Sequence, residues 1–199
     1  MSKNGLTISL NEVLFYFTRA GFGVNASIGV SEDFARSNIW IAQNGFDPSE
    51  CSLLALDNLD SQTSSLSIQF EKTGDGSHLF CPEDKVLSAI EASVSCVDWL
   101  EFNGLDGDLK LTNVDSPLLV VSALGANQCT GIQVSWTDKS NNHYEVNLKD
   151  DIEWEIISSS EAPIELSNCA DIYISAFDVN NKTSISNGKL KTLNIRSEE

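Results

Sequence analysis

Apolar residues return at helical spacing in the opening segment, where Leu10, Val13, Leu14 and Phe17 form one stripe. Ser9 and Glu12 stand just before it with the spacing of a capping box. The Ser hydroxyl can accept from the backbone N–H three residues on, while the Glu carboxylate reaches back to the Ser9 N–H. Gly21 and Gly23 break the pattern and end this first helix. A second helix is predicted from near Ser31, with Glu32 and Asp33 suited to its positive end, carrying Phe34, Trp40 and Ile41 and stopping before Gly45. Asp47-Pro48-Ser49-Glu50 then opens a third helix, with proline at the first helical position, through Cys51, Leu54, Ala55 and Leu59.

The period then shortens to two. Leu66, Ile68 and Phe70 alternate with polar residues as in a half-buried strand, and Thr73-Gly74-Asp75-Gly76 is a turn. Helical spacing returns after Cys81-Pro82, with Val86, Ile90, Val94, Val97 and Leu100 predicting a fourth helix that ends at Asn103-Gly104. From there on the chain reads as short strands. They are carried by Leu109 and Leu111, the apolar run Leu118–Leu124 after Pro117, Ile132 to Trp136, Tyr144 to Leu148, Ile152 to Ile156, Ile172 and Ile174, and Leu190 to Ile195. Helices that precede strands predict an α+β fold. Three N-terminal helices and a fourth are expected to pack on a mostly antiparallel sheet. The expected organisation is a single domain over 1–199, with a helical subregion 8–60 and a strand-rich region 105–196.

Charge narrows the function classes. The 199 residues include 29 acidic and 12 basic side chains, a formal net charge of −17. Such a surface disfavours nucleic acid, whose phosphates need clustered Lys and Arg, and anionic membranes for the same reason. The simplest reading of the charge is solubility. No apolar run is long enough for a bilayer and no leader pattern precedes the first helix, so a cytoplasmic location is expected. The five cysteines are scattered and odd in number, without a C-x-x-C pair, which predicts reduced thiols.

Candidate chemistry is sparse. Neither His78 nor His143 lies in a cysteine cluster, so no metal is expected. Cys81, directly before Pro82, is placed to cap the fourth helix, where the helix dipole lowers a thiol pKa, and His78 three residues upstream would serve as its base. Glu91, Ser95 and Asp98 share one face of that helix, and the two carboxylates are a candidate acid–base pair. Asn103 to Asp108 alternates oxygen ligands but lacks the closing Glu of a calcium loop and reads as a turn. There is no Walker A loop, G-x-S-x-G elbow, G-x-G-x-x-G after a strand or H-E-x-x-H, and no cofactor is expected. The tryptophans Trp40, Trp99, Trp136 and Trp154 sit in apolar patterns and read as core.

Short blocks carry a family resemblance. Ile8-Ser9-Leu10-Asn11-Glu12-Val13, the run to Ala20-Gly21 and the helix ending at Asn44-Gly45 resemble the opening of a bacterial family known as domain of unknown function 3726. Leu87-Ser88 through Ala92-Ser93 to Asp98 is similar to a second block, with Ala89 where that family has Pro and Ser93 where it has Gly. Ser167-Asn168 through Asp178-Val179-Asn180 corresponds to a third, without its Arg and glycines. These blocks and the Glu91–Asp98 helix face make Asn11, Ser95, Asp178 and Asn180 the candidate ligand contacts. The N-terminal helices also resemble the start of the malate/L-lactate dehydrogenases that lack a Rossmann fold. Those enzymes carry Ser-His-Gly at the end of the second helix, with the His as acid/base, where this chain has Gln43-Asn44-Gly45.

The expected function is a non-catalytic accessory or small-ligand-binding protein of cytoplasmic metabolism, partnered by a small molecule or another protein. The alternative is a metal-independent enzyme acting on a small metabolite through Cys81 and His78, or through Asp98 and Glu91. Oligomeric state is open at the level of sequence.

Overall fold

Capping side chains set where the helices start. The computed structural model describes residues 8–74, 76–104, 106–139, 141–148, 154–158, 169–177 and 191–193. Ser9 opens α1 (Leu10–Gly23) through a complete capping box, its N–H donating to Glu12 Oε2 at 2.7 Å while its Oγ accepts from Glu12 N–H at 3.3 Å. Ser27 caps α2 (Ile28–Gln43), Asp47 caps α3 (Pro48–Asp60) and Ser88 caps α4 (Ala89–Asn103). The fifth helix, α5 (Pro117–Ala126), follows Ser116 without a side-chain cap.

Two of these starts differ from the sequence expectation. Helix α2 begins one turn earlier than Ser31, because Ser27 supplies the cap and Ser31 turns its hydroxyl back onto the Ser27 carbonyl at 2.8 Å. Helix α4 begins at Ala89, well past Cys81-Pro82, because the intervening chain makes β4 (Val86–Leu87) and only Ser88 offers a cap. The apolar stripe of α1 is also only partly covered. Val13 is buried and Phe17 half-buried, while Leu10 and Leu14 stay exposed.

The largest departure is Leu118–Leu124, which is helical where a strand was expected. Every residue from Pro117 to Leu124 is buried, so α5 has no polar face to mark a helical period. A short apolar run reads alike as a buried strand or a buried helix, and proline at the first position is what favours the helix here.

The remaining strands are β1 (Ser64–Ser65), β2 (Gln69–Thr73), β3 (Gly76–Phe80), β5 (Asp108–Val114), β6 (Ile132–Thr137), β7 (His143–Leu148), β8 (Trp154–Ser158), β9 (Ala170–Ala176) and β10 (Lys191–Leu193). With β4 they form one sheet in the order β1-β4-β5-β9-β6-β7-β8-β10, and the β2–β3 hairpin joins beside β5. Pairing is parallel where β1 meets β4 and where β3 and β4 meet β5, and antiparallel elsewhere. The fold is therefore α+β with a mostly antiparallel sheet. Strand β2 lies three residues later than Leu66–Phe70 predicted and is exposed along its length, because it is the outer strand of its hairpin.

Registration aligns one apolar row across the sheet. Leu109 pairs with Ile174, Ile174 with Val134, and Val134 with Val146, all of them buried. Helix α5 packs against α2, α3 and α4, and α1 packs on α2. The α2–α5 crossing is close at Gly125, where an added methyl would overlap the Trp40 indole.

Gly125→Ala is expected to lower stability by about 1–3 kcal/mol through overpacking, although alanine is the better helix former. Gly29→Ala in α2, which meets nothing within 4 Å, is expected to raise it by about 0.5–1 kcal/mol. Urea denaturation of the two variants checks the contrast.

Candidate functional site

Helix α4 is held at its first two residues. Ser88 Oγ accepts from Ile90 N–H at 3.3 Å, and Asp115 Oδ1 accepts from Ala89 N–H at 2.8 Å. Asp115 therefore ties the end of β5 to the start of α4. One side of α4 goes into the core with Ile90, Cys96, Val97 and Leu100. The other carries Glu91, Ser95, Asp98 and Phe102, at the three-and-four spacing read from the sequence.

Strand alternation brings a second wall to that face. In β3, Ser77 and Leu79 turn inward and line the side that faces α4, while His78 turns to the opposite side of the sheet. Between the β2–β3 hairpin and α4 lies an open cleft of about 560 Å³. Phe70, Trp99 and Phe102 give it aromatic sides, and Lys72, Ser95 and Asp98 supply a cation, a hydroxyl and a carboxylate. Phe102 is 89% exposed and Phe70 54%, so these rings stand ready to cover a ligand rather than to fill the core. A second crevice, of about 90 Å³, runs behind α4 past Asp33, Asp98 and Glu101, and is too small for a metabolite.

The structure brings together Ser95 and Asp98 in the cleft. Glu91 lies on the same helix face outside the cleft lining, half-buried, and burial followed by the charge of Asp98 pushes its pKa up. Cys81 and His78 are not brought together. The His78 ring shares a 2.7 Å hydrogen bond between Nε2 and Thr112 Oγ1 and stacks on Phe80 with centroids 4.8 Å apart. Cys81 packs half-buried against the core and caps no helix, which removes the basis for its expected activation. Asn11 is exposed in the first turn of α1 and lines neither cavity. Asp178 and Asn180 lie outside the described residues, as does the side chain of Trp154.

Burial silences the other thiols. It pushes Cys51 up to about 11 and raises Cys96, Cys129 and Cys169 as well. Among the described residues no group of three or more His, Cys, Asp or Glu side chains is placed to hold a metal ion. No described helix is long and apolar enough to cross a membrane.

Three features escaped the sequence reading. Lys72 is the cation of the cleft, on a strand whose exposed pattern gave no signal. Trp99 is core by burial and also a cleft wall. Asp115 is wholly buried, and its Oδ2, like Ser64 Oγ and Ser116 Oγ, has no hydrogen-bond partner. Desolvation raises its pKa to about 6 against the opposing pull of the Ala89 N–H and of Ser64 and Asn58, which lie near without bonding Oδ2. The signal for it was the Asp-Ser-Pro that precedes the apolar run of α5.

The arrangement of these elements is shared with solved structures. The chain superposes on malate dehydrogenase from Pyrococcus horikoshii OT3 with a TM-score of 0.56 at 10% identity, over 82% of this chain and 53% of that one. A putative malate/lactate dehydrogenase from E. coli matches with a TM-score of 0.54 at 10% identity, over 77% and 49%. The delta1-piperideine-2-carboxylate reductase from Pseudomonas syringae pvar. tomato matches at 0.51 and 13% identity, over 77% and 53%. The chain thus spans about half the length of these structures and shares their fold. No protein-family model and no curated protein matches the sequence, so the blocks similar to domain of unknown function 3726 find no support there. The likeness to the malate/lactate dehydrogenase type is the one the fold supports. The expected non-catalytic accessory role finds no support among these structures, whose names are those of dehydrogenases and a reductase.

Asp115 yields a pH signature. Its folded pKa of about 6 lies above the ordinary 3.8, so the folded state takes up the proton first and stability falls as pH rises from below 4 through 6. The shift corresponds to roughly 3 kcal/mol by linkage. Asp115→Asn keeps the acceptor for Ala89 N–H and abolishes the ionisation. Relative to this variant, the native chain is expected to lose up to about 3 kcal/mol between pH 4 and pH 7, read from urea unfolding at each pH.

Proposed function

We propose that this chain is an enzyme of small-metabolite chemistry that holds a small carboxylate in the cleft between the β2–β3 hairpin and α4 and works without a metal. The single observation that carries the reading is the cleft itself. It has the volume of a metabolite site and joins an aromatic wall to one cation, Lys72, and one carboxylate, Asp98. Lys72 anchors the anionic end of the ligand as a point charge. Phe70 and Phe102 cover its apolar part, and Asp98, with Ser95 beside it on the same helix face, accepts a proton from the bound molecule. The molecules in the names of the matching structures, malate, lactate and piperideine-2-carboxylate, are small carboxylates, which supports this choice of ligand class.

Hydride transfer does not fit the residues present. The resemblance places the proton-handling histidine of the malate/L-lactate dehydrogenases where this chain has Asn44. Asn44 caps α2, and its Nδ2 donates to the Trp40 carbonyl at 2.8 Å. A carboxamide neither takes nor gives a proton at neutral pH. The chemistry that the cleft supports is instead proton transfer at Asp98. Glu91 stands two turns before Asp98 on the same helix face, where burial and then the charge of Asp98 raise its own pKa.

A panel of small mono- and dicarboxylic acids, screened by thermal shift and calorimetry, tests the reading. At least one is expected to raise the melting temperature in proportion to its occupancy. Lys72→Ala is expected to weaken that ligand about tenfold or more. Asp98→Asn should bind it within a few-fold while slowing its conversion, followed by proton NMR, by about 100-fold or more. A ligand that binds yet is converted equally by Asp98→Asn removes the assigned role. A well-folded protein that binds no acid of the panel overturns the substrate class.

A further inference from the structure

Strand order gives the cleft a direction. Helix α4 joins β4 to β5, two strands that pair in parallel, so the helix runs antiparallel to both. Strand β3 is parallel to β5 as well. The last turn of α4, with Phe102 and Asn103, therefore lies toward the start of β3, and Ser95 lies toward its end. The hairpin register places the opposite wall. Lys72 pairs with Ser77 near the start of β3, and Phe70 pairs with Leu79 two positions on, all four lining the cleft. The cation thus stands at the Phe102 end and the Phe70 ring at the Ser95 end, with Asp98 and Trp99 between them. Two positions along one strand separate Lys72 from Phe70 by roughly 6.5–7 Å on a single face.

Charge and size select among carboxylates. Among the residues lining the cleft Lys72 is the one cation and Asp98 the one carboxylate. A monoanion finds one anchor there. A dicarboxylate would turn its second charge toward Asp98, in a chain whose net charge of −17 already repels it. The volume of about 560 Å³ also exceeds what a short aliphatic acid fills, since sites of roughly 300–1,000 Å³ enclose molecules of drug size. Away from Lys72 the wall is apolar, made by Ile68, Phe70, Leu79 and Trp99. Phe70 is 54% exposed, so its ring has free surface, and a second ring packs on it better than an aliphatic group of equal area. Resting on the reading of this cleft as a carboxylate site, we propose that its ligand is an aromatic monocarboxylic acid, with the carboxylate at Lys72 and the ring against Phe70 and Trp99. A short carbon linker sets a carboxylate and a ring about as far apart as Lys72 and Phe70 stand.

Titration calorimetry of the whole chain with 3-phenylpropanoate, 3-cyclohexylpropanoate, propanoate and butanedioate tests the assignment. The phenyl acid is expected to bind about tenfold or more tighter than propanoate and butanedioate. It is also expected to bind a few-fold tighter than the cyclohexyl acid, although the latter has more apolar surface. Phe70→Ala should remove most of the advantage of the phenyl acid and leave propanoate within a few-fold. Phe70 is exposed, so this variant should fold, and circular dichroism checks that it does. Propanoate or butanedioate binding as tightly as the phenyl acid overturns the proposal and leaves the carboxylate reading standing. Tighter binding of the cyclohexyl acid overturns the aromatic requirement. A phenyl acid that binds Phe70→Ala as well as the native chain overturns the placement of the ring. If none of the four acids binds a folded native chain, this proposal falls together with the reading on which it rests.

Discussion

The structure depends on burying α5 on every side. A helix of 10 residues has little stability of its own in water, and α5 has neither a side-chain cap nor a polar face to hold it. It exists because α2, α3 and α4 pack against it. Each large side chain buried there, from Leu118 to Leu124, contributes on the order of 1.5–3 kcal/mol. The same helix spaces its neighbours. Gly125 lets Trp40 of α2 lie directly against it, and α4 packs on it as well.

Helix α4 converts that packing into a site. Its inner face is closed by α5 and the sheet, so its direction is not free, and its first turn is clamped by Ser88 and Asp115. The outer face then presents Ser95, Asp98 and Phe102 at a fixed distance from the β2–β3 hairpin. Because β3 pairs with β5 in register from Gly76 to Leu79, the hairpin is fixed to the same sheet that supports α4. The cleft is therefore built on paired strands and a clamped helix, with the exposed rings of Phe70 and Phe102 among its walls. The clamp carries a cost, since a buried carboxylate with one unpaired oxygen opposes its own ionisation.

Sharing a fold with dehydrogenases does not transfer their chemistry, because activity resides in particular side chains set on the fold. At the end of α2 the chain uses Asn44 for a structural purpose, closing the helix through the Trp40 carbonyl. The polar groups that do converge stand elsewhere, on α4 and β2. The fold is thus common to this chain and its structural neighbours, while the candidate chemistry is read from this chain's own cleft.

The sequence alone determined what depends on local chemistry. The capping box at Ser9, the Asp47-Pro48 start of α3, the end of α4 at Gly104 and the alternating strands from Leu109 to Leu111, Ile132 to Trp136 and Tyr144 to Leu148 follow from hydrogen bonds and side-chain alternation within a few residues. The shared face of Ser95 and Asp98 was legible for the same reason, since helical spacing sets it. Tertiary structure decided the rest. Leu118–Leu124 is a helix only because other elements cover all of it, and no period in the sequence could reveal that. Cys81 and His78 are three residues apart yet engage different partners, His78 bonding Thr112 across β5 while Cys81, past the end of β3, packs against the core. Lys72 and Asp98 come to line one cleft, and Asp115 meets the start of α4, only through strand pairing and helix packing across dozens of residues. Contacts between segments distant in the chain leave no local period to read, and here they are what assembles the cleft.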